Sequence, residues 1–203
     1  NKLTLALTHP YYFILNYLLN KSDRRKSKYI FTFSKYVYIP NQVNDDREIF
    51  HITEEEFRQK EPIENLINSL NSEQELAFHS EVKIISLNGK VDYKHIPMID
   101  FYINPIDFTY DFHYWRLNNL MTSKTKNPIL FETGRSLHGY GDKLLSLAEW
   151  HEFMGRLLLV DQINRESPII DTRWVGHRII GGYSALRWSN NSGKYLSQPK
   201  RFI

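Results

Sequence analysis

The stretch Val82-Lys83-Ile84-Ile85-Ser86-Leu87-Asn88-Gly89-Lys90-Val91-Asp92-Tyr93-Lys94-His95-Ile96-Pro97-Met98-Ile99-Asp100-Phe101-Tyr102-Ile103 decides how this chain is read. Two runs rich in β-branched and aromatic residues, Val82 to Leu87 and Val91 to Ile103, flank Asn88-Gly89. Asn-Gly tolerates the two positive φ angles of a type I′ turn, whose twist matches that of paired strands, so the stretch predicts a β-hairpin. A hairpin makes neighbouring strands antiparallel, and the chain around it mixes strands and helices without the strict alternation that builds a parallel sheet. The expected class is α+β, with a mixed or antiparallel sheet flanked by helices on one or both faces.

Toward the N-terminus, Leu3 to Leu7 reads as a short strand. Pro10 then opens a helix through Leu19, at a position where its missing N–H costs nothing. Lys21 to Lys28 is a basic loop, and Tyr29 to Ile39 is a strand long enough to invite a bulge. Thr53 and Glu56 have capping-box spacing, with Pro62 breaking or restarting the helix before Leu66 to Leu70.

Toward the C-terminus, Asp107 to Met121 is expected to be helical, Ile129 to Thr133 a buried strand, and Gly134 to Gly141 a glycine-punctuated turn. Ser146 and Glu149 form a second capping box heading a helix through Val160. Asp171 to Ile180 is a helix ended by Gly181-Gly182, and Ser184 to Trp188 a last strand. Residues 1–203 are read as a single domain, with the polar segment 189–203 as a flexible tail.

At 203 residues, 41% hydrophobic and 24% charged, the chain can bury a core without staples. It has no cysteine, which excludes a disulfide framework, a zinc knuckle and a thiol nucleophile, and it fits a cytoplasmic protein. No apolar run reaches the roughly 18 to 20 residues that span a bilayer, so no membrane contact is expected. The first residue is not Met, as expected of a trimmed chain or a fragment. A net charge of +3 permits contact with phosphate without demanding it. Basic residues gather at Lys21 to Lys28, at Lys124 and Lys126, and at Arg173, His177, Arg178, Arg187, Lys194, Lys200 and Arg201, while acids pool between Asp45 and Glu81.

Three segments carry chemistry. The first sets Asp100 between Ile99 and Phe101. A buried carboxylate is costly unless paired or metal-bound, yet period-two alternation alone could turn it to solvent. The second, Glu132 to Gly141, offers Arg135, Ser136 and His138 within four residues, with Ser136 and His138 on one side if the segment is extended. Hydroxyl, imidazole and guanidinium donors suit a phosphate. A Ser nucleophile with a His base is the rival, and an ordinary polar turn the plain reading. The third, Asp171 to Arg187, is either an N-cap followed by surface arginines or an acid with Arg178 and Arg187 beside it.

In order and spacing these segments resemble the archaeo-eukaryotic primase superfamily, the primase-polymerases. The likeness covers roughly residues 95 to 190, through Met98-Ile99-Asp100-Phe101-Tyr102, Ser136-Leu137-His138 and Ile169-Ile170-Asp171. It implies an RRM-like sheet and a nucleotidyltransferase that joins nucleotides on a DNA or RNA template. It further implies Asp100 and Asp171 as ligands of Mg²⁺ or Mn²⁺, with His138 also in the catalytic set. Arg135, Ser136, His138, Arg178 and Arg187 would bind the nucleoside triphosphate, and further replication or defence proteins would be partners.

The chain departs from the family pattern at Tyr102, where a second acid is usual, and a phenol does not replace a carboxylate on a hard cation. Asp107 or Glu132 are the candidate substitutes. The alternative function is therefore an inactive relative that binds nucleotide or nucleic acid as an accessory protein. A metal-dependent phosphodiesterase would instead recruit His113, His151 or His177.

Overall fold

The computed structural model describes residues 4–19, 27–40, 42–43, 46–162 and 167–202. Leu3 and the basic loop from Lys21 to Lys26 lie outside the described residues, as does Asp45. Helix α1 is Pro10–Ile14, continued by a π-helical turn, Leu15–Leu19. Its cap is the His9 imidazole, which accepts from the Tyr11 N–H at 3.0 Å and contacts the Trp188 carbonyl at 2.9 Å. Burial holds that imidazole neutral by pushing its pKa down to about 4, which leaves one ring nitrogen free to accept.

Strands β1 (Ser27–Tyr36), β2 (Arg47–Thr53), β3 (Glu75–Ser86) and β4 (Val91–His95) form an antiparallel sheet in the order β2-β1-β3-β4. Strand β8 (Ala185–Arg187) also pairs with β3, along Ala77 to His79. The expected bulge is present, because the β1–β3 register shifts between Phe31 and Phe33. Helices α2 (Glu54–Gln59) and α3 (Glu61–Asn68) follow β2. The Thr53–Glu56 capping box is formed, and Lys60, at φ 66°, breaks the helix just ahead of Pro62.

A second antiparallel sheet has the order β5-β7-β6-β9, from β5 (Met98–Asp100), β6 (Ile129–Glu132), β7 (Leu137–Tyr140) and β9 (Lys200–Arg201). Between β5 and β6 lie a 3₁₀ turn, Pro105–Asp107, a π turn, Tyr110–Tyr114, and α4 (Trp115–Leu120). Helix α5 (Leu147–Leu158) begins at the Ser146–Glu149 capping box, and α6 (Thr172–Gly181) ends on Gly182 at φ 80°.

The fold is thus α+β with antiparallel sheets flanked by helices, the class the hairpin implied. Four local expectations are corrected. Residues 4–8 are not a strand. The Asn88-Gly89 turn has only Gly89 at positive φ, 79°, and Gly89 N–H donates to Ser86 O at 2.9 Å; this is a G1-bulge loop rather than type I′. The expected strand Val91 to Ile103 breaks at Ile96-Pro97, since Pro has no N–H for a ladder, and its halves enter different sheets. Gly134 to Gly141 is not all turn, because Leu137–Tyr140 is a fully buried strand.

The described residues form two apolar clusters. One is aromatic and lies beneath the first sheet, with Phe78 4.3 Å from Trp188 and 5.0 Å from Phe33 between ring centres. The other gathers Ile99, Phe101, Leu137, Trp150, Phe153 and Ile170, and Trp174 packs against both. Residues 189–202, polar in composition, are tied down at particular points: Ser189 is fully buried, Asn191 and Ser192 donate to Glu75, and the segment runs on into the exposed β9. No helix among the described residues is long and apolar enough to cross a membrane.

Candidate nucleotide and metal site

Alternation along β5 turns Ile99 and Phe101 into the core and leaves Asp100 on the opposite face. Asp100 pairs directly with His138 on β7. On its other side an isolated bridge joins Phe101 to Ile170, and Asp171 N–H donates to Asp100 O at 3.0 Å. Residues opposite each other in antiparallel pairs share a face, so His138, Asp100 and Asp171 form one row across three segments.

That row floors a cleft of about 340 Å³, whose lining also includes Arg135, Ser136, Arg178 and Arg187. The seven residues that the primase resemblance implied for the site, Asp100, Arg135, Ser136, His138, Asp171, Arg178 and Arg187, therefore meet here. The lining adds Tyr36, Tyr38, Arg47, Arg173, Trp174, Lys194 and Tyr195, which sequence reasoning did not assign to the site, and His177, named from the sequence only for a phosphodiesterase. Arg173, His177 and Lys194 had a signal, as members of the C-terminal basic cluster. Arg47 sits in the acid-rich stretch and had none.

The electrostatics are lopsided. Among the described residues, six Arg or Lys side chains line the cleft against two carboxylates, Asp100 and Asp171, in a chain whose net charge is only +3. Asp100 keeps 23% of its side-chain surface. Burial first, and then the neighbouring Asp171 charge, push its carboxyl well above the usual carboxylate range, with Arg187 opposing. His138 is 5% exposed and is held neutral by burial and by the Arg187 charge. Its Nε2 lies 3.8 Å from Asp100 Oδ1, and its Nδ1 has no hydrogen-bond partner among the described residues.

The remaining groups have definite anchors. Asp171 Oδ1 accepts from the Trp174 N–H at 2.9 Å, so the N-cap reading holds while the same carboxylate faces the cleft. Arg187, 5% exposed, donates to Ser189 O, to Ser197 O at 3.0 Å and to Thr133 O at 3.1 Å, and lies 4.0 Å over the Tyr195 ring. It pins three segments together as well as charging the cleft. Gly134 turns the Ser136 segment at φ 104°, where an added Cβ would come within 2.7 Å of Leu196.

Ser136 Oγ pairs with Thr133 Oγ1 at 3.0 Å rather than with His138, an arrangement unlike a nucleophile–base pair. Of the three histidines named for a phosphodiesterase, only His177 lines the cleft. His113 Nδ1 is taken by Thr109, accepting from its N–H at 2.9 Å.

Among the described residues no group of three or more acids and histidines is placed to hold a metal ion. Tyr102 is 63% exposed, Glu132 is paired with Lys200 at 2.8 Å, and neither Glu132 nor Asp107 lines the cleft. Asp100 and Asp171, lining one cleft with the first resisting ionisation beside the second, are oxygen donors of the kind a hard divalent cation takes.

Residues 54–200 match the family model described as AEP-like, archaeo-eukaryotic primase 1D-like. The chain belongs to the archaeo-eukaryotic primase superfamily. No curated protein and no solved structure matches it. Within this primase-like chain, the three segments of resemblance are the three that build the row of His138, Asp100 and Asp171.

Proposed function

We propose that the cleft binds a nucleoside triphosphate together with Mg²⁺ or Mn²⁺ and transfers its nucleotidyl group to a strand paired with a DNA or RNA template. The observation that carries this reading is the meeting of both acids, Ser136, His138 and six cationic side chains in one cleft. Asp100 and Asp171 would hold the cation, which when bound neutralises phosphate charge and activates the attacking hydroxyl. Ser136 donates a hydroxyl proton, and neutral His138 an N–H, to phosphate oxygens. Arg135, Arg178 and Arg187 add charge where the leaving diphosphate becomes more negative.

A second reading rests on Tyr102. With an exposed phenol at the usual place of an acid, the chain would bind the metal–nucleotide complex without extending a strand. Titration with a labelled nucleoside triphosphate, in Mn²⁺ and in EDTA, tests binding, with Asp100→Ala alongside. Binding that needs Mn²⁺ and falls at least about 100-fold in the variant is expected. Equal binding in EDTA, or in the variant, would overturn the site. A primed-template extension assay then separates the readings, since product with the wild type and none with Asp100→Ala is expected of the transferase, and no product with either protein leaves the binding reading.

A further inference from the structure

Behind the cation wall runs a buried polar relay that does not itself line the cleft. Ser34, on β1, and His79, on β3, are both buried, and His79 Nε2 lies 2.7 Å from Ser34 Oγ. Arg47, on β2, donates from Nη1 to the same Ser34 oxygen at 3.0 Å. The other side of His79 stacks on Tyr183 at 4.3 Å, with ring planes 11° apart. Arg178 rests 5.5 Å over that same Tyr183 ring. One imidazole therefore supports two cleft arginines from different parts of the chain, Arg47 through a hydroxyl and Arg178 through an aromatic ring.

Arginine only donates, so Ser34 accepts from Arg47. A neutral His79 then either accepts the Ser34 proton at Nε2 or donates from Nε2 to the second lone pair of the Ser34 oxygen. Burial, with Arg47 and Arg178 nearby, pushes the His79 pKa down to about 3, so that protonation state persists at neutral pH. Guanidinium groups fixed in advance lose less freedom on meeting phosphate than mobile ones do.

Resting on the triphosphate reading above, we infer that His79 is a positioning residue for the phosphate-binding arginines of the cleft, acting through Ser34 on Arg47 and through Tyr183 on Arg178. Its removal should cost affinity for phosphates and not for the nucleoside.

The test compares wild type, His79→Gln, which keeps a hydrogen-bonding group for Ser34, His79→Phe, which keeps a ring for Tyr183, and His79→Ala. Each is titrated in Mn²⁺ with a labelled nucleoside triphosphate, with inorganic tripolyphosphate and with the free nucleoside, at several salt concentrations. Circular dichroism confirms folding, and if the Ala variant fails to fold the near-isosteric pair carries the comparison. Affinity for triphosphate and tripolyphosphate is expected to fall about tenfold in Ala and about threefold in Gln and Phe. Nucleoside affinity should stay unchanged, and the salt dependence should become shallower. Unchanged triphosphate affinity in folded variants, or equal losses for nucleoside and triphosphate, would overturn the positioning role alone. Failure of the wild type to bind either phosphate compound would overturn the function reading and this role with it.

Discussion

Around Glu75, at the start of β3, the carboxylate accepts from Ser189 Oγ, from Asn191 N–H at 3.0 Å, and from Ser192 N–H and Oγ at 2.8 and 2.7 Å. Around Asp100, at the end of β5, the carboxylate faces Asp171 and a neutral imidazole 3.8 Å away, with no hydrogen-bond donor to it among the described residues. Both acids sit on strands, and Glu75 is the more deeply buried. The first is saturated by its own protein and ties down the segment carrying Lys194 and Tyr195. The second is left with a like charge beside it, opposed in part by Arg187, which a bound cation or a proton would relieve further. Their difference separates an acid that holds the structure together from one open to chemistry, and burial alone would not have distinguished them.

The largest effect should come from the saturated acid. Glu75→Gln leaves donors unpaired in a buried place and is expected to lower stability by about 2 to 4 kcal/mol. Denaturant unfolding measures this, and hydrogen exchange at the Asn191 and Ser192 amides should speed up. If Asp100→Asn cost as much stability, the contrast between the two acids would collapse.

The next effect is in pH. A carboxyl whose folded pKa is raised stabilises the fold while protonated, and that contribution is lost as pH climbs from the ordinary carboxylate value through the raised one. Without divalent metal, the thermal midpoint should therefore fall over that window, each unit of it being worth about 1.4 kcal/mol. Asp100→Asn should flatten the fall. In wild type, Mn²⁺ should offset it at neutral pH, and a profile unchanged by both substitution and metal would break the comparison from the Asp100 side.

The smallest effect divides the two roles of Asp171. Loss of the cap in Asp171→Ala should cost about 1 kcal/mol, whereas Asp171→Ser keeps a capping oxygen for the Trp174 N–H and should stay near wild-type stability. Both variants should lose Mn²⁺-dependent nucleotide binding. Wild-type binding by the Ser variant would confine Asp171 to its cap.

Much of the local fold was legible because the residues that specify it are neighbours. Thr53 with Glu56 and Ser146 with Glu149 each form a capping box, Gly182 ends α6, and β1 carries its bulge. The turn at Asn88-Gly89 was legible as a turn, but its type followed the strand register. The break at Ile96-Pro97 was written in the missing proline N–H, yet the apolar run on both sides of it concealed the change of sheet. The anchoring of residues 189–202 was not legible, because polar composition does not reveal that Glu75 accepts from Ser189, Asn191 and Ser192.

The sequence by itself determined the α+β class and marked out as candidates residues that line the cleft, through turns, caps and the order of three short segments. Tertiary structure alone decided that His138, Asp100 and Asp171 share a row, that Tyr102 points away to solvent, and that Arg47, Arg173 and Lys194 complete the cation wall. The physical reason is range. A cap or turn is satisfied within a few residues, whereas the electrostatic state of a carboxylate depends on which distant strands the sheet register brings beside it.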